Sequence, residues 1–187
     1  IMTIHDKEKD KEKKDKKEGT LRLLTSGEIA LAKSVFRSTI PYHKVWIHFD
    51  SYLPFGLQDQ YTAMAPNGEI YFREHYREDY SHTVPFYQHM FIHEMAHVWQ
   101  REKGLNVIGR GLVSWAVSYH YVLDSRYLSE YPMEQQAQII ADHFILNAEG
   151  YTKWCDLRDQ DVITLDGNIS EPIIRQLYQN TLRGFPW

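Results

Sequence analysis

From Thr25 onward the apolar residues of this chain switch repeatedly between helical and extended spacing. Ile29, Ala32, Val35 and Phe36 follow Thr25 and Glu28, a pair with capping-box spacing, so a first helix is predicted to run to about Ser38. Val45, Ile47 and Phe49 then alternate with Lys44, Trp46 and His48, which is the period of a strand. Pro66-Asn67-Gly68 marks a turn before a short strand from Glu69 to Phe72, with Tyr61 to Ala65 as its candidate partner. Pro85 opens a long helix to about Lys103, stopped by Gly104. Val107 to Leu123 reads as helical over much of its length. Pro132 opens a further helix to about Ala148, closed by Gly150, and Ser170 with Pro172 starts a last one to about Leu182. No internal repeat is visible. A small sheet followed by several helices predicts an α+β fold.

Composition adds a boundary. The chain has 187 residues, 43% of them hydrophobic and 14% aromatic, enough for one domain with a real core. Its net charge of −4 is unevenly spread, because Asp6 to Glu18 is an unbroken run of charge. With no apolar residue, and with like charges four apart such as Lys7/Lys11, that run disfavours an autonomous helix and cannot join a core. Residues 1–19 are therefore expected to be a charged flexible linker and 20–187 the folded domain, as if cut from a longer polypeptide. The body without this run is weakly acidic, which argues against nucleic acid as a partner. Cys155 is the single cysteine, so no disulfide within the chain and no cysteine-built zinc site is available; beside Trp154 it reads as a small buried hydrophobe. No secretory leader is visible, and the longest apolar stretch, Gly111 to Leu123, is too short to span a bilayer.

The chemistry concentrates in His93-Glu94-Met95-Ala96-His97, an H-E-x-x-H motif on the long predicted helix. Residues four apart on a helix differ by about 40° around the axis, so both imidazoles reach one metal ion. Glu94, about 60° from His97, reaches a water on that ion without ligating it. Ile92, Met95, Ala96 and Trp99 form an apolar stripe on the other side, expected to dock the helix while the ligand edge faces a cleft. The pattern predicts zinc, which in a catalytic site takes three protein ligands and keeps one position open. The extended pattern ending in Gly and a third His fails, since Gln100 and Lys103 occupy those places. The third ligand must come from further on, with His120, Asp124, Glu130, Glu134, Asp142 and His143 as candidates. Glu134 is favoured because it opens the next firm helix, where small Ala137 and Ala141 permit close approach. A carboxylate in a first helical turn is also what the macrodipole favours by itself.

Three segments carry a resemblance to a known family: Ala65-Pro66-Asn67-Gly68-Glu69-Ile70-Tyr71-Phe72, Phe91 to Gln100 around the H-E-x-x-H motif, and Glu134 to Asp142. Over roughly Tyr42 to Phe144 the chain resembles the zincin-like metallopeptidase domain fused to the C-terminus of VgrG spike proteins, and related Rhs-associated toxins, of type VI secretion systems. The resemblance implies a zincin-like fold, a small twisted sheet plus helices around the H-E-x-x-H helix. It implies zinc held by His93, His97 and Glu134, with Glu94 as the catalytic residue. It also implies attachment to a larger secreted spike, delivery into a target cell without a leader of its own, and a cognate immunity protein.

On this reading a zinc-activated water attacks a peptide bond, and Glu94 takes its proton and passes it to the leaving amine. The oxyanion needs a further donor, for which His120, Tyr121, Tyr131 and His143 are the candidates. Asp142 is a candidate to orient a ligand imidazole. The Glu69 to Phe72 strand is a candidate edge for pairing with an extended peptide. His75, in the polar loop from Arg73 to Asp79, is expected not to ligate. A cell-wall amidase or endopeptidase would use the same residues, and a non-catalytic zinc-stabilised binding module would need the ligands but not Glu94.

Overall fold

The computed structural model describes residues 18–107 and 118–187. Among them are three strands and five α-helices, in the order β1 (Thr20–Leu23), α1 (Ser26–Phe36), β2 (Trp46–Phe49), β3 (Ile70–Phe72), α2 (Pro85–Glu102), α3 (Met133–Glu149), α4 (Tyr151–Asp159) and α5 (Glu171–Thr181). This is the expected α+β arrangement. The central strand β2 runs antiparallel to β1, with Arg22 opposite Ile47, and parallel to β3, with His48 opposite Tyr71. Ile47, Ile70 and Phe72 point from the sheet into one core with Phe91, Ile92 and Met95 of α2. Fully burying each such side chain contributes roughly 1.5–3 kcal/mol. Two helices then meet closely: α2 packs on α3 where Ala96, Ala137 and Ala141 are all 0% exposed, so small residues set the distance between the backbones.

Two elements escape the sequence pattern. In β1, Thr-Leu-Arg-Leu, the apolar residues face outward, Leu21 and Leu23 being 52% and 43% exposed, while Arg22 turns inward. The inversion has a cause in α1. Thr25 caps that helix as expected, its hydroxyl accepting from the Glu28 amide, and the Glu28 side chain accepts from the Thr25 amide. The same buried carboxylate also takes two hydrogen bonds from the Arg22 guanidinium, at 2.7 and 3.0 Å, and one from the Tyr80 amide at 2.9 Å. A charged residue thus occupies the inward position of a strand because a second charge waits for it. The other element is α4. Gly150, at φ 88°, ends α3 as its position suggests, but the chain re-enters a helix at Tyr151 and buries Trp154 and Leu157. Cys155 on this helix is half-buried and packs against the core.

Other expectations need adjustment. Only the ends of Val107–Leu123 are described; positions 108–117 lie outside the described residues, and 118–123 is not helical, Tyr121 instead forming a single bridge with Leu165. Of the partner strand expected over Tyr61 to Ala65, one bridge forms, Met64 exchanging both backbone hydrogen bonds with Tyr71. That bridge occupies the outer side of β3 at Tyr71, so Glu69 to Phe72 is not a free edge there. Gln58 fastens the preceding loop, its amide donating to the carbonyls of Thr62 and Tyr71. At the start of the described chain Glu18 accepts twice from Arg73, so contacts begin inside the charged run. No helix among the described residues is long and apolar enough to cross a membrane.

Glu28→Ala strands the Arg22 guanidinium in a largely buried place, so it is expected to cost about 3–5 kcal/mol in urea unfolding. The paired change Arg22→Met with Glu28→Leu is expected to recover only part of that loss, because the Thr25 and Tyr80 amides still lose their acceptor. A Glu28→Ala cost below about 1 kcal/mol would show the pair to be dispensable.

Candidate metal centre

Pro85 stands at the first turn of α2, where its fixed φ suits helix entry and its missing amide hydrogen costs nothing. The expected apolar stripe is fully buried, Ile92, Met95 and Ala96 at 0% and Trp99 at 1%. The ligand edge is buried as well: His93, Glu94 and His97 are 8%, 7% and 5% exposed. From Phe91 to Gln100 the helix is buried on every side. Glu134, in the first turn of α3, faces this edge across the helix contact. Its Oε2 lies 3.3 Å from His93 Nε2 and its Oε1 lies 3.0 Å from His97 Nε2. One ligand atom from each of the three residues lies within 4.8 Å of the others, and no other group of three or more such donors is found among the described residues.

The electrostatics follow from that convergence. Burial by itself would raise the Glu134 carboxyl, yet the His97 and His93 imidazoles beside it hold it well below the usual carboxylate range. Burial would likewise lower His97, but the Glu134 carboxylate outweighs it and brings the imidazole up to about 9. Glu94 is raised, chiefly by burial, with the two imidazoles opposing and Glu134 adding to the shift. Glu94 Oε2 is buried with no hydrogen-bond partner among the described residues. An orphaned carboxylate oxygen next to two imidazole nitrogens and a second carboxylate fits a cation with a water beside it. The cleft above them, about 130 Å³, is lined by Thr62 to Pro66, Val107, Tyr119 and Met133.

The remaining candidates sit elsewhere. Asp142 is fully buried, but it accepts from His89 at 2.7 Å and from the Tyr121 hydroxyl at 2.7 Å, so it orients neither ligand imidazole. Tyr121 shares its hydroxyl with Asp142 and Tyr178, deep in the core. The Tyr131 hydroxyl donates to the Val122 carbonyl. His120 is exposed between Asp161 and Asp166. His143 lies in a separate cavity of about 550 Å³, walled also by Ile140, Phe144 and Leu182, with its ring 5.2 Å from that of Tyr178. Of the ligand alternatives, Asp124 pairs with Arg126 and Glu130 accepts from the Tyr127 amide. His75 packs edge-on or tilted among Tyr61, Phe86 and Tyr87. None of the four expected oxyanion donors lines the cleft. Each spends its polar atoms or its ring on another partner instead.

Three residues at or near the centre went unread in the sequence. Tyr119 lines the cleft, its ring 6.0 Å from that of His93; it lies in the indistinct stretch from Val107 to Leu123, which offered no spacing to place it. His89 is one helical turn before His93, a visible spacing, but its partner Asp142 is 53 residues away. Gln100 touches His97 and was visible only as a departure from the longer metal motif.

Comparison with known proteins places this arrangement. No family model matches the chain. A stretch of 133 residues, 66% of the chain, is 41% identical to the type VI secretion system spike protein VgrG2b of Pseudomonas aeruginosa, and spans 13% of that protein. The solved effector domain of Pseudomonas aeruginosa VgrG2b matches with a TM-score of 0.62 and 35% identity, over 81% of this chain and 87% of that one. The chain belongs to the family of VgrG2b-type effector domains. Within this VgrG2b-type domain, the H-E-x-x-H helix and the helix that follows it in the described chain bring His93, His97 and Glu134 together.

His143 allows a pH test away from this centre. Burial, with the Arg175 charge adding to it, lowers the imidazole from an ordinary 6.5 to about 4. Between those values the unfolded chain binds a proton that the folded chain does not, so stability drops as pH falls through 6.5 toward 4, by up to roughly 3 kcal/mol. His143→Gln is expected to flatten that part of the profile, as read by urea unfolding at pH 7 and pH 4.5. An unchanged slope would show that other groups carry it.

Proposed function

We propose that this VgrG2b-type domain is a zinc-dependent peptidase, acting as the toxic part of a spike carried by type VI secretion into a target cell. One observation carries the reading: Glu134 converges with His93 and His97 on one point, beside a Glu94 carboxylate oxygen that is buried and unpartnered. Two imidazoles and a carboxylate are a donor set that zinc accepts while keeping a position open. Zinc bound there would polarise a substrate carbonyl and make water a competent nucleophile near neutral pH.

The chain's own residues supply the rest. Glu94, raised by burial, is suited to hold the proton taken from water and to release it to the departing amine. Tyr119 is the donor placed for the carbonyl oxygen as it gains negative charge. Partial burial and the charges of Glu134 and Glu94 raise its hydroxyl, so it remains a donor. Along the cleft wall, Met64 spends its backbone groups on Tyr71. Ala63 and Ala65 on either side of Met64 line the cleft, where an extended peptide can pair with their backbone groups. The substrate is thus a peptide or protein segment in extended form. A cognate immunity protein is the expected partner, protecting the producing cell.

Metal content by mass spectrometry and cleavage of an unfolded protein test this. Wild type is expected to hold one zinc per chain, Glu134→Ala to bind it at least tenfold more weakly, and Glu94→Ala to keep zinc while losing about 10²–10⁴ in turnover. Absence of zinc from wild type, or full activity in Glu94→Ala, would sink the proposal. Cleavage of peptidoglycan stem peptides with no cleavage of protein would move the substrate to the cell wall.

A further inference from the structure

Gln100 lies three residues beyond His97 on α2 and is 0% exposed. Its side chain makes three hydrogen bonds. Nε2 donates to the Met133 carbonyl at 2.9 Å and to Gln136 Oε1 at 3.1 Å, and the other end of the amide faces His97 Nδ1 at 2.8 Å. The orientation of this amide follows from its surroundings. A backbone carbonyl only accepts, so the atom facing Met133 must be the NH₂ group. Gln136 is fixed in the same way, because its own Nε2 donates to the Tyr131 carbonyl at 2.9 Å and leaves Oε1 toward Gln100. Gln100 Oε1 is then the atom facing His97, and an acceptor there requires a proton on His97 Nδ1. The ring's other nitrogen, Nε2, is left pointing at Glu134.

We propose that Gln100 is the positioning residue of the metal centre, one amide that sets both the tautomer of His97 and the placement of Glu134. The second half of this role comes from Met133, the residue immediately before Glu134: by holding its carbonyl, Gln100 fixes the first turn of α3 against α2. The carboxylate and the imidazole are therefore held through a common side chain. A metal-ligating imidazole needs its non-ligating nitrogen protonated and anchored, and loss of such an anchor typically weakens metal binding 10- to 100-fold. His89 has a comparable buried partner in Asp142, but that pair hydrogen-bonds neither His97 nor Glu134 among the described residues. The role assigned to Gln100 rests on His93, His97 and Glu134 being a metal site.

The experiment combines zinc affinity, by competition with a chelator, with nitrogen-resolved NMR of the imidazoles. In zinc-loaded wild type, His97 is expected to show a slowly exchanging proton on Nδ1 and metal on Nε2. Gln100→Leu, close in volume but unable to accept or donate, is expected to lose 10- to 100-fold in zinc affinity and to expose that proton to exchange, with a native circular dichroism spectrum. Gln100→Glu retains an acceptor for His97 but sets its second oxygen against the Met133 carbonyl and Gln136 Oε1, so it is expected to keep the His97 Nδ1 proton protected while losing zinc affinity. Zinc affinity of folded Gln100→Leu within threefold of wild type, or a wild-type His97 bound through Nδ1, would overturn the assignment. If Gln100→Leu does not fold, the wild-type spectrum decides alone. If wild type binds no zinc, the metal reading fails. The assignment is then judged in the metal-free protein, where an unprotected Nδ1 proton on His97 overturns it.

Discussion

A helix buried on every side must find a partner inside the protein for each polar side chain it carries. That constraint organises this domain around α2. Between His89 and Gln100 the helix brings three histidines, a glutamate and a glutamine into the interior. His89 is met by Asp142, His93 and His97 by Glu134, and Gln100 by the backbone and side chains at the start of α3. All of these partners lie on one other helix, so polar satisfaction and helix packing are the same contact. The small residues Ala96, Ala137 and Ala141 permit it by letting the backbones approach.

Two buried polar atoms of α2 are left over among the described residues, Trp99 Nε1 and Glu94 Oε2, and the second lies at the convergent donor set. Glu94 Oε2 receives no hydrogen bond although it is buried. An uncompensated carboxylate oxygen destabilises the fold, and its retention beside a convergent donor set supports a role in handling water. The sheet contributes less directly. It supports the core under α2 and holds the Thr62 to Pro66 segment at the centre through Met64 and Gln58.

Much of this was legible along the chain wherever the signal is local. The capping box at Thr25 and Glu28, the bounds of α2 between Pro85 and Gly104, and the end of α3 at Gly150 are each set by residues within a turn of the feature they mark. Elements whose reason is remote were not. β1 hides because Arg22 points inward toward Glu28, reversing the alternation that reveals a strand. Tyr121, Tyr131 and His143 stood as candidates for the cleft, and Tyr119 did not. Asp142 and Tyr178, far off in sequence, withdraw Tyr121; the Val122 carbonyl, nine residues before it, withdraws Tyr131; and the Tyr178 ring withdraws His143.

The same division separates motif from centre. By itself the sequence determined that His93, Glu94 and His97 share a helix face, because a four-residue spacing and a helix are enough to bring two imidazoles to one side. It also limited the donors to histidine and carboxylate, since a lone cysteine cannot build a site. Only the tertiary structure decided which carboxylate joins them, which tyrosine stands over them, and which amide orients His97. Those choices depend on where α3 lands on α2, and that is settled by the packing of small residues and the pairing of buried polar groups across more than thirty positions of chain.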